Sequence, residues 1–468
     1  MWTILAIFFL QFADKVGAER VCLSETAIEK REARGIAIDL LDYEVSPVYL
    51  DSVRSIGAKV IHTSRWINGA TVEANDEAIR AIEKCGFVDT IYLTRMEPTE
   101  QAFDIPSISL RKRIIAEDTL PDAPLPVASI EQLDQLNLLP LHQAGYKGKG
   151  IRIGITDGGF YNADSLAVLP QKQWLGYADF TDDEDDFFGS TGNHGTLCLT
   201  AIIAETADYQ STATEAEYFL FRTEEHSTES PKEIDNWVAA IEMADSLGLD
   251  IVSTSLGYTT FDDESFNFAY ADMDGRSSRG AQAAIIAARK GLLLIVAAGN
   301  DGNKAWHYLS TPADADSILT VGAVDIDRTI ANFSSFGPSA DGRIKPEICA
   351  VGKQTILLNP SNDEIMKGNG TSFACPLVAG MAACLWSALP HASNMEIRER
   401  IIRSSDRYSI PHEQYGYGIP DAWQAYTSIY SEAKNIQINS ERACKQIIDG
   451  QLRILYQGKI YNIIGKEL

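Results

Sequence analysis

An α/β fold, a parallel sheet with helices on both faces, is predicted for residues 137–429 by three observations. Strand-like and helix-like segments alternate there; the strand-like ones are almost continuously apolar; and glycines punctuate their ends. Strands buried on both faces read this way, because helical crossovers cover each side of a parallel sheet. The elements follow in order. Ile151, Ile153 and Ile155 mark a first buried strand, and Leu197 to Ile203 a helix entering the core. Residues 217–223 (EYFLFRT) form a strand, 234–248 a helix and 250–258 (DIVSTSLGY) a strand. Residues 281–291 form a helix, 292–300 (LLLIVAAGN) a strand and 317–325 another strand. Leu377, Val378, Met381 and Cys384 space out the buried face of a further helix, with Pro376 placed in its first turn, where a missing N–H costs little.

Ahead of this region, residues 23–93 read as a separate α+β unit of ferredoxin-like layout. A helix over SPVYLDSVRSIG precedes strands over AKVIHTSR and INGATVEA. An Asn-capped helix over NDEAIRAIEKCG and a last strand over FVDTIYLT complete it, and the segment GIAIDLL from Gly35 is the candidate for a first strand. Residues 1–18 read as an export signal. Trp2 to Phe12 is apolar but too short to span a bilayer, and Val16-Gly17-Ala18 ends in a small residue suited to cleavage. Residues 94–136 read as a linker containing the basic triplet Arg111 to Arg113 and a proline-rich stretch, the expected region of processing. Residues 430–468 form a distinct tail of two short strands, with turns at Asp449-Gly450 and Gly458.

Composition excludes some functions. The chain has 468 residues and a formal net charge of −25. It is long enough to bury a large core, and its acidity argues against a nucleic-acid partner. The seven cysteines are dispersed with no zinc spacing, and Cys198, Cys375 and Cys384 fall on apolar helix faces as buried thiols. GKGIRIG, from Gly148, has the look of a dinucleotide loop, but it precedes its strand where such a loop must follow one.

Four polar residues stand at strand ends or helix starts. Asp157 closes the first strand in ITDGG, and ligands of parallel sheets bind beyond the carboxyl ends of strands. His194 opens a helix in NHGT, and Asn300 ends the strand AAGN between glycines. Ser372 lies between a glycine-rich bend and an apolar helix in GTSFACP. Each has a commoner use, as turn residue or helix cap. Together they supply what acyl transfer needs: a hydroxyl near free helix N–H groups, an imidazole base, a carboxylate and an amide donor. An esterase is disfavoured, because residues 370–374 (GTSFA) break the GxSxG pattern at its last position.

These motifs resemble the subtilase family of serine endopeptidases, over roughly Asn137 to Ile429, and the order Asp, His, Ser is that of subtilisin. The family often has Ser or Thr where this chain has Gly158, but the carboxylate itself is retained. The resemblance implies Ser372 as nucleophile, His194 as general base, Asp157 as its orienter and Asn300 as oxyanion donor. It also implies that Ser255, Leu256 and Gly257, in STSLGY, pair with the substrate backbone. Residues 23–93 resemble the inhibitory pro-domain of subtilases, which implies a latent precursor with its own pro-domain as partner and protein or peptide substrates. The tail resembles the sorting tails of exported bacterial proteins carried by type IX secretion, which implies a secreted or cell-surface enzyme. No cofactor is required and no metal is expected in the site. Calcium is common in the family, and the acidic run Asp182 to Asp186 could hold it for stability, although a solvated loop is the favoured reading.

Overall fold

The computed structural model describes residues 5–96, 129–181, 186–189 and 192–428, together with three strand backbones near the C-terminus. The basic triplet Arg111 to Arg113, the proline-rich stretch and most of the acidic run lie outside the described residues.

The N-terminal unit is a four-stranded antiparallel sheet in the order β2-β3-β1-β4. Its strands are β1 (Leu5–Phe12), β2 (Lys59–Ser64), β3 (Gly69–Asn75) and β4 (Val88–Met96). Its helices are α1 (Glu25–Ala33), α2 (Pro47–Ser55) and α3 (Asp76–Ile82). Side chains cap them, and the Asn75 cap is the one expected from the sequence. Asn75 Oδ1 accepts the Ala78 N–H at 2.8 Å, and Ser46 Oγ accepts that of Tyr49 at 3.3 Å. The missing first strand is not GIAIDLL, most of which is irregular apart from a single 3₁₀ turn at Leu40–Asp42. It is β1, so that Leu5 to Phe12, read from the sequence within an export signal, lie in this sheet. Leu10 and Phe12 join the unit's own core with Val45, Val53, Val72 and Ile82, and Phe9 faces the larger domain. The run is apolar because it is an inner strand paired on both edges, to β3 and to β4. The unit therefore starts before Leu23 and runs past Leu93.

The second domain carries a seven-stranded sheet, parallel throughout, in the order β11-β10-β9-β8-β5-β7-β6. Its strands are β5 (Arg152–Asp157), β6 (Trp174–Asp179), β7 (Glu217–Arg222), β8 (Ile251–Thr254), β9 (Leu293–Ala297), β10 (Leu319–Val324) and β11 (Ile348–Val351). A hairpin follows, of β12 (Thr355–Leu358) and β13 (Ile365–Gly368). Helices α4 (Ile130–Gln135), α5 (Leu139–Gln143), α6 (His194–Ile203), α7 (Lys232–Ser246), α8 (Arg279–Arg289), α9 (Thr371–Ala388) and α10 (Asn394–Arg403) pack around it. Leu133 and Leu136, on and just after α4, are fully buried in the domain's core, so the domain begins before Asn137 and the linker is shorter than the sequence suggested.

Helix α9 is buried from Thr371 to Trp386, against α6 on one side and the sheet on the other. It is long and apolar enough to cross a membrane by composition, and that apolarity is accounted for by its place in the core. Pro376 is its sixth residue, one turn deeper than expected, because the helix begins at Thr371. Near the C-terminus the tail holds three antiparallel strands where two were expected: β14 (Ala443–Ile448), β15 (Gln451–Tyr456) and β16 (Lys459–Tyr461).

The N-terminal unit docks on α7 and the loops beside it. Arg65 and Arg31 both reach Asp245 at 2.7 Å. Lys30 and Arg34 hold Asp250, and Lys290 returns the contact to Asp42 at 2.7 Å. Glu242 accepts Ser64 Oγ and the Arg65 and Trp66 amides.

Candidate active site

Asp157 is the last residue of β5 and is 1% exposed. Its carboxylate takes the Gly158 N–H at 2.8 Å. Both of its oxygens lie 2.9 Å from Nδ1 of His194, the first residue of α6. That contact places the ring proton on Nδ1 and leaves Nε2 as an acceptor. Gly195 permits this approach: a Cβ there would sit 2.6 Å from the Gly159 carbonyl and 2.8 Å from Asp157 Cβ. Burial, the largest single effect, works against a charged imidazole, but Asp157 and Cys198 together outweigh it and hold the His194 pKa well above the ordinary histidine value.

Ser372 is the second residue of α9. Its hydroxyl donates to the Ser255 carbonyl at 3.3 Å. The His194 and Phe373 rings lie 5.5 Å apart, so the histidine stands beside the start of α9. Asn300 lies three residues beyond β9, in the bend that follows it. Its Oδ1 accepts the Thr371 N–H at 2.9 Å, which turns Nδ2 toward the cleft as a donor. The N-cap residue Gly370 has no side chain to cap α9, so Asn300 is what takes the Thr371 N–H. A Cβ added at Gly370 would be 3.6 Å from the Ser372 nitrogen and 3.8 Å from Asn300 Nδ2, so the two nitrogens border one small space. Two N–H groups converging at a helix start suit a developing oxyanion.

Ser255, Leu256 and Gly257 follow β8 and grade from buried to exposed. A Cβ on Gly257 would come within 2.0 Å of Ser310 Oγ, so only glycine fits there. Next, Tyr258 exchanges both backbone hydrogen bonds with Thr311, and its hydroxyl donates to Glu224 at 2.7 Å.

Sequence reasoning missed some neighbours of the site. Burial, reinforced by Glu229, pushes the Glu224 carboxyl up to about 8. Two groups, Glu224 with Glu229 and Glu233, and Asp157 with His194 and Cys198, have ligand atoms within 4.8 Å of one another, close enough in principle for a metal ion. Cys198, read only as a buried thiol, lies 4.0 Å from His194 Nδ1 and donates to the Ser372 carbonyl at 3.4 Å. Its position one helical turn after His194 was the signal that could have found it.

Comparison with known proteins identifies the family. Residues 148–418, more than half of the chain, match the Subtilase family, and residues 8–105 match the Peptidase S8 propeptide domain of Bacteroidota. Subtilisin DY from Bacillus licheniformis is 30% identical over 261 residues, which cover 55% of this chain and 84% of that protein. Minor extracellular protease Epr from Bacillus subtilis is 27% identical over 330 residues, covering 68% of this chain and 46% of that protein. Among solved structures, MycP1 from the ESX-1 type VII secretion system is similar in fold. Its TM-score is 0.52 at 20% identity, over 67% of this chain and 90% of that one. A parallel sheet presenting aspartate, histidine, asparagine and serine at its carboxyl edge, behind a docked propeptide domain, places this chain in the subtilase family of serine endopeptidases.

Proposed function

We propose that Ser372 is the nucleophile, His194 the general base, Asp157 its orienter, and Asn300 with the Ser372 N–H the oxyanion site. The observation that carries this reading is the pair of 2.9 Å contacts from Asp157 to His194 Nδ1, beside a helix that begins at Thr371-Ser372. A serine hydroxyl is a weak nucleophile and needs an adjacent base. Rotation of Ser372 Oγ away from the Ser255 carbonyl lets it donate to His194 Nε2. His194 takes the proton as Oγ attacks the peptide carbonyl, then returns it to the leaving amine. Water hydrolyses the acyl-enzyme by the same route. Leu256 and Gly257 offer the backbone edge along which an extended substrate pairs.

The docked N-terminal unit makes the chain a latent precursor in this reading. Action outside the cytoplasm is supported by likeness to a protease named extracellular, and the three-stranded tail is proposed as the sorting element for type IX secretion. Calcium at Asp182 to Asp186 would be a stabilising ligand with no part in the chemistry. Only Asp186 is described there, and its carboxylate accepts the Phe188 N–H at 3.2 Å.

The test is paired substitution. Ser372→Ala is expected to abolish both peptide hydrolysis and fluorophosphonate labelling and to leave the precursor uncut. Asn300→Ala is expected to lower kcat by about 10²–10³ with KM little changed, the size known for an oxyanion donor of subtilisin. Normal turnover in Ser372→Ala, or a loss confined to KM in Asn300→Ala, would overturn these roles.

A further inference from the structure

Pro376 leaves a carbonyl of the proposed nucleophile without its helical partner. In an α-helix the N–H of residue 376 would bond the C=O of residue 372, and proline has no N–H to give. The residue left open is therefore Ser372, buried in the first turn of α9, where an unpaired backbone acceptor is costly. The structure fills the gap from two other elements. Ser255 Oγ donates to the Ser372 carbonyl at 2.8 Å, and Cys198 Sγ does so at 3.4 Å, an ordinary length for sulfur. A carbonyl oxygen has two lone pairs and accepts both. Both donors are shielded from water, Ser255 at 7% exposure and Cys198 at none. Burial also pushes the Cys198 thiol up, which keeps the donor proton on sulfur.

We propose that Cys198 and Ser255 are positioning residues that together replace the helix hydrogen bond absent at Pro376 and so set the place of Ser372 relative to His194. The proposal rests on Ser372 being the nucleophile, as argued above. Each donor ties Ser372 to a different part of the site. Cys198 lies one turn along α6 from His194, so its thiol joins the helix that carries the base to the backbone of the nucleophile. Ser255 grips Ser372 twice: its hydroxyl donates to the Ser372 carbonyl, and its own carbonyl accepts from Ser372 Oγ. A backbone carbonyl bound from outside its helix lets the residue sit where α6 and β8 require, and not where helical geometry alone would put it. Cys375 shows that a thiol on α9 need not act this way, since it donates to the carbonyls of Thr254 and Ile295 in the sheet.

The experiment compares Cys198→Ala, Cys198→Ser and Ser255→Ala, each in the natural chain and in Pro376→Ala. For each we would measure kcat and KM on a peptide, the rate constant of fluorophosphonate labelling mapped to its residue, and the melting temperature. Cys198→Ala and Ser255→Ala are expected to lower kcat and the labelling rate by about 3- to 10-fold each, the worth of one hydrogen bond, with KM within about twofold. Cys198→Ser, which keeps a donor, is expected to regain most of the rate. In Pro376→Ala the restored N–H can bond the Ser372 carbonyl, so the loss from removing either donor should shrink. Equal impairment of Cys198→Ala and Cys198→Ser would mean that sulfur only fills space, and would overturn the proposal. So would donor losses that Pro376→Ala leaves undiminished, or full kcat in Cys198→Ala. A label found on a residue other than Ser372 would overturn the nucleophile assignment, and the proposal with it.

Discussion

The contact between the N-terminal unit and the sheet domain is rich in paired charges, whereas the contact between α9 and the sheet is almost wholly apolar. At the first, Arg31, Arg65, Lys30, Arg34 and Lys290 meet Asp42, Asp245 and Asp250 at 3.0 Å or less. At the second, Phe373, Leu377, Val378, Met381 and Leu385 are 1% exposed or less, among Ile295, Val321 and Ile348. Charged partners can return to water when separated, and buried hydrocarbon cannot do so without loss. The N-terminal unit also has its own core, around Leu10, Val53 and Val72. One contact is thus built to part and the other to stay, as befits a propeptide domain on an enzyme.

Three measurements bear on that contrast. The largest expected effect is at the charged contact. Arg65→Ala leaves Asp245 and Glu242 buried with one cation fewer, and breaking a buried pair costs about 3–5 kcal/mol. Inhibition of the mature enzyme by the N-terminal unit supplied in trans should weaken by about two to three orders of magnitude. The enzyme's own melting temperature should not move, because Arg65 is no part of it; an unchanged inhibition constant would break the comparison. Met381→Ala should do the reverse. It removes a fully buried side chain and should destabilise the sheet domain by about 2–5 kcal/mol in denaturant unfolding, with the affinity for the N-terminal unit unchanged.

The third measurement concerns the site, where burial and charge compete. Burial disfavours imidazolium at His194, Asp157 and Cys198 favour it, and together the two partners prevail. Protonated His194 cannot act as base, so activity should be absent below the raised pKa and appear as pH climbs through it. The kcat/KM profile should therefore rise at a pH above the ordinary histidine value of about 6.5 and level off beyond it. Asp157→Asn should move that rise to lower pH while cutting the plateau. A rise at or below pH ~6 in the natural chain would show that desolvation wins.

The parallel sheet was legible because its strands announce themselves locally. β5, β7, β8, β9 and β10 are short apolar runs closed by glycine or a polar residue, and the four site residues sit where those runs or the helices after them break. β1 was not legible as a strand, for a physical reason. About ten apolar residues near a chain start satisfy an export signal and an inner strand equally, and the deciding facts are partners at residues 69–96. The roles of Cys198 and Ser255 were hidden likewise, since a carbonyl orphaned by Pro376 identifies its donors only in three dimensions. Pro376 itself fits the first turn of a helix by propensity, and only the start at Thr371 moves it deeper.

The placement of β1 also carries a consequence for the order in which the chain assembles. The ribosome releases β1 well before its neighbours, since both β3 and β4 lie more than fifty residues further on. During synthesis the middle of the sheet waits as an apolar ribbon with two open edges, the condition in which a strand is most apt to pair wrongly. All of its partners are present only once Met96 has emerged, after β2 and β3. A cut after Ala18 would withdraw the middle strand from a finished sheet and leave β3 and β4 with no common partner.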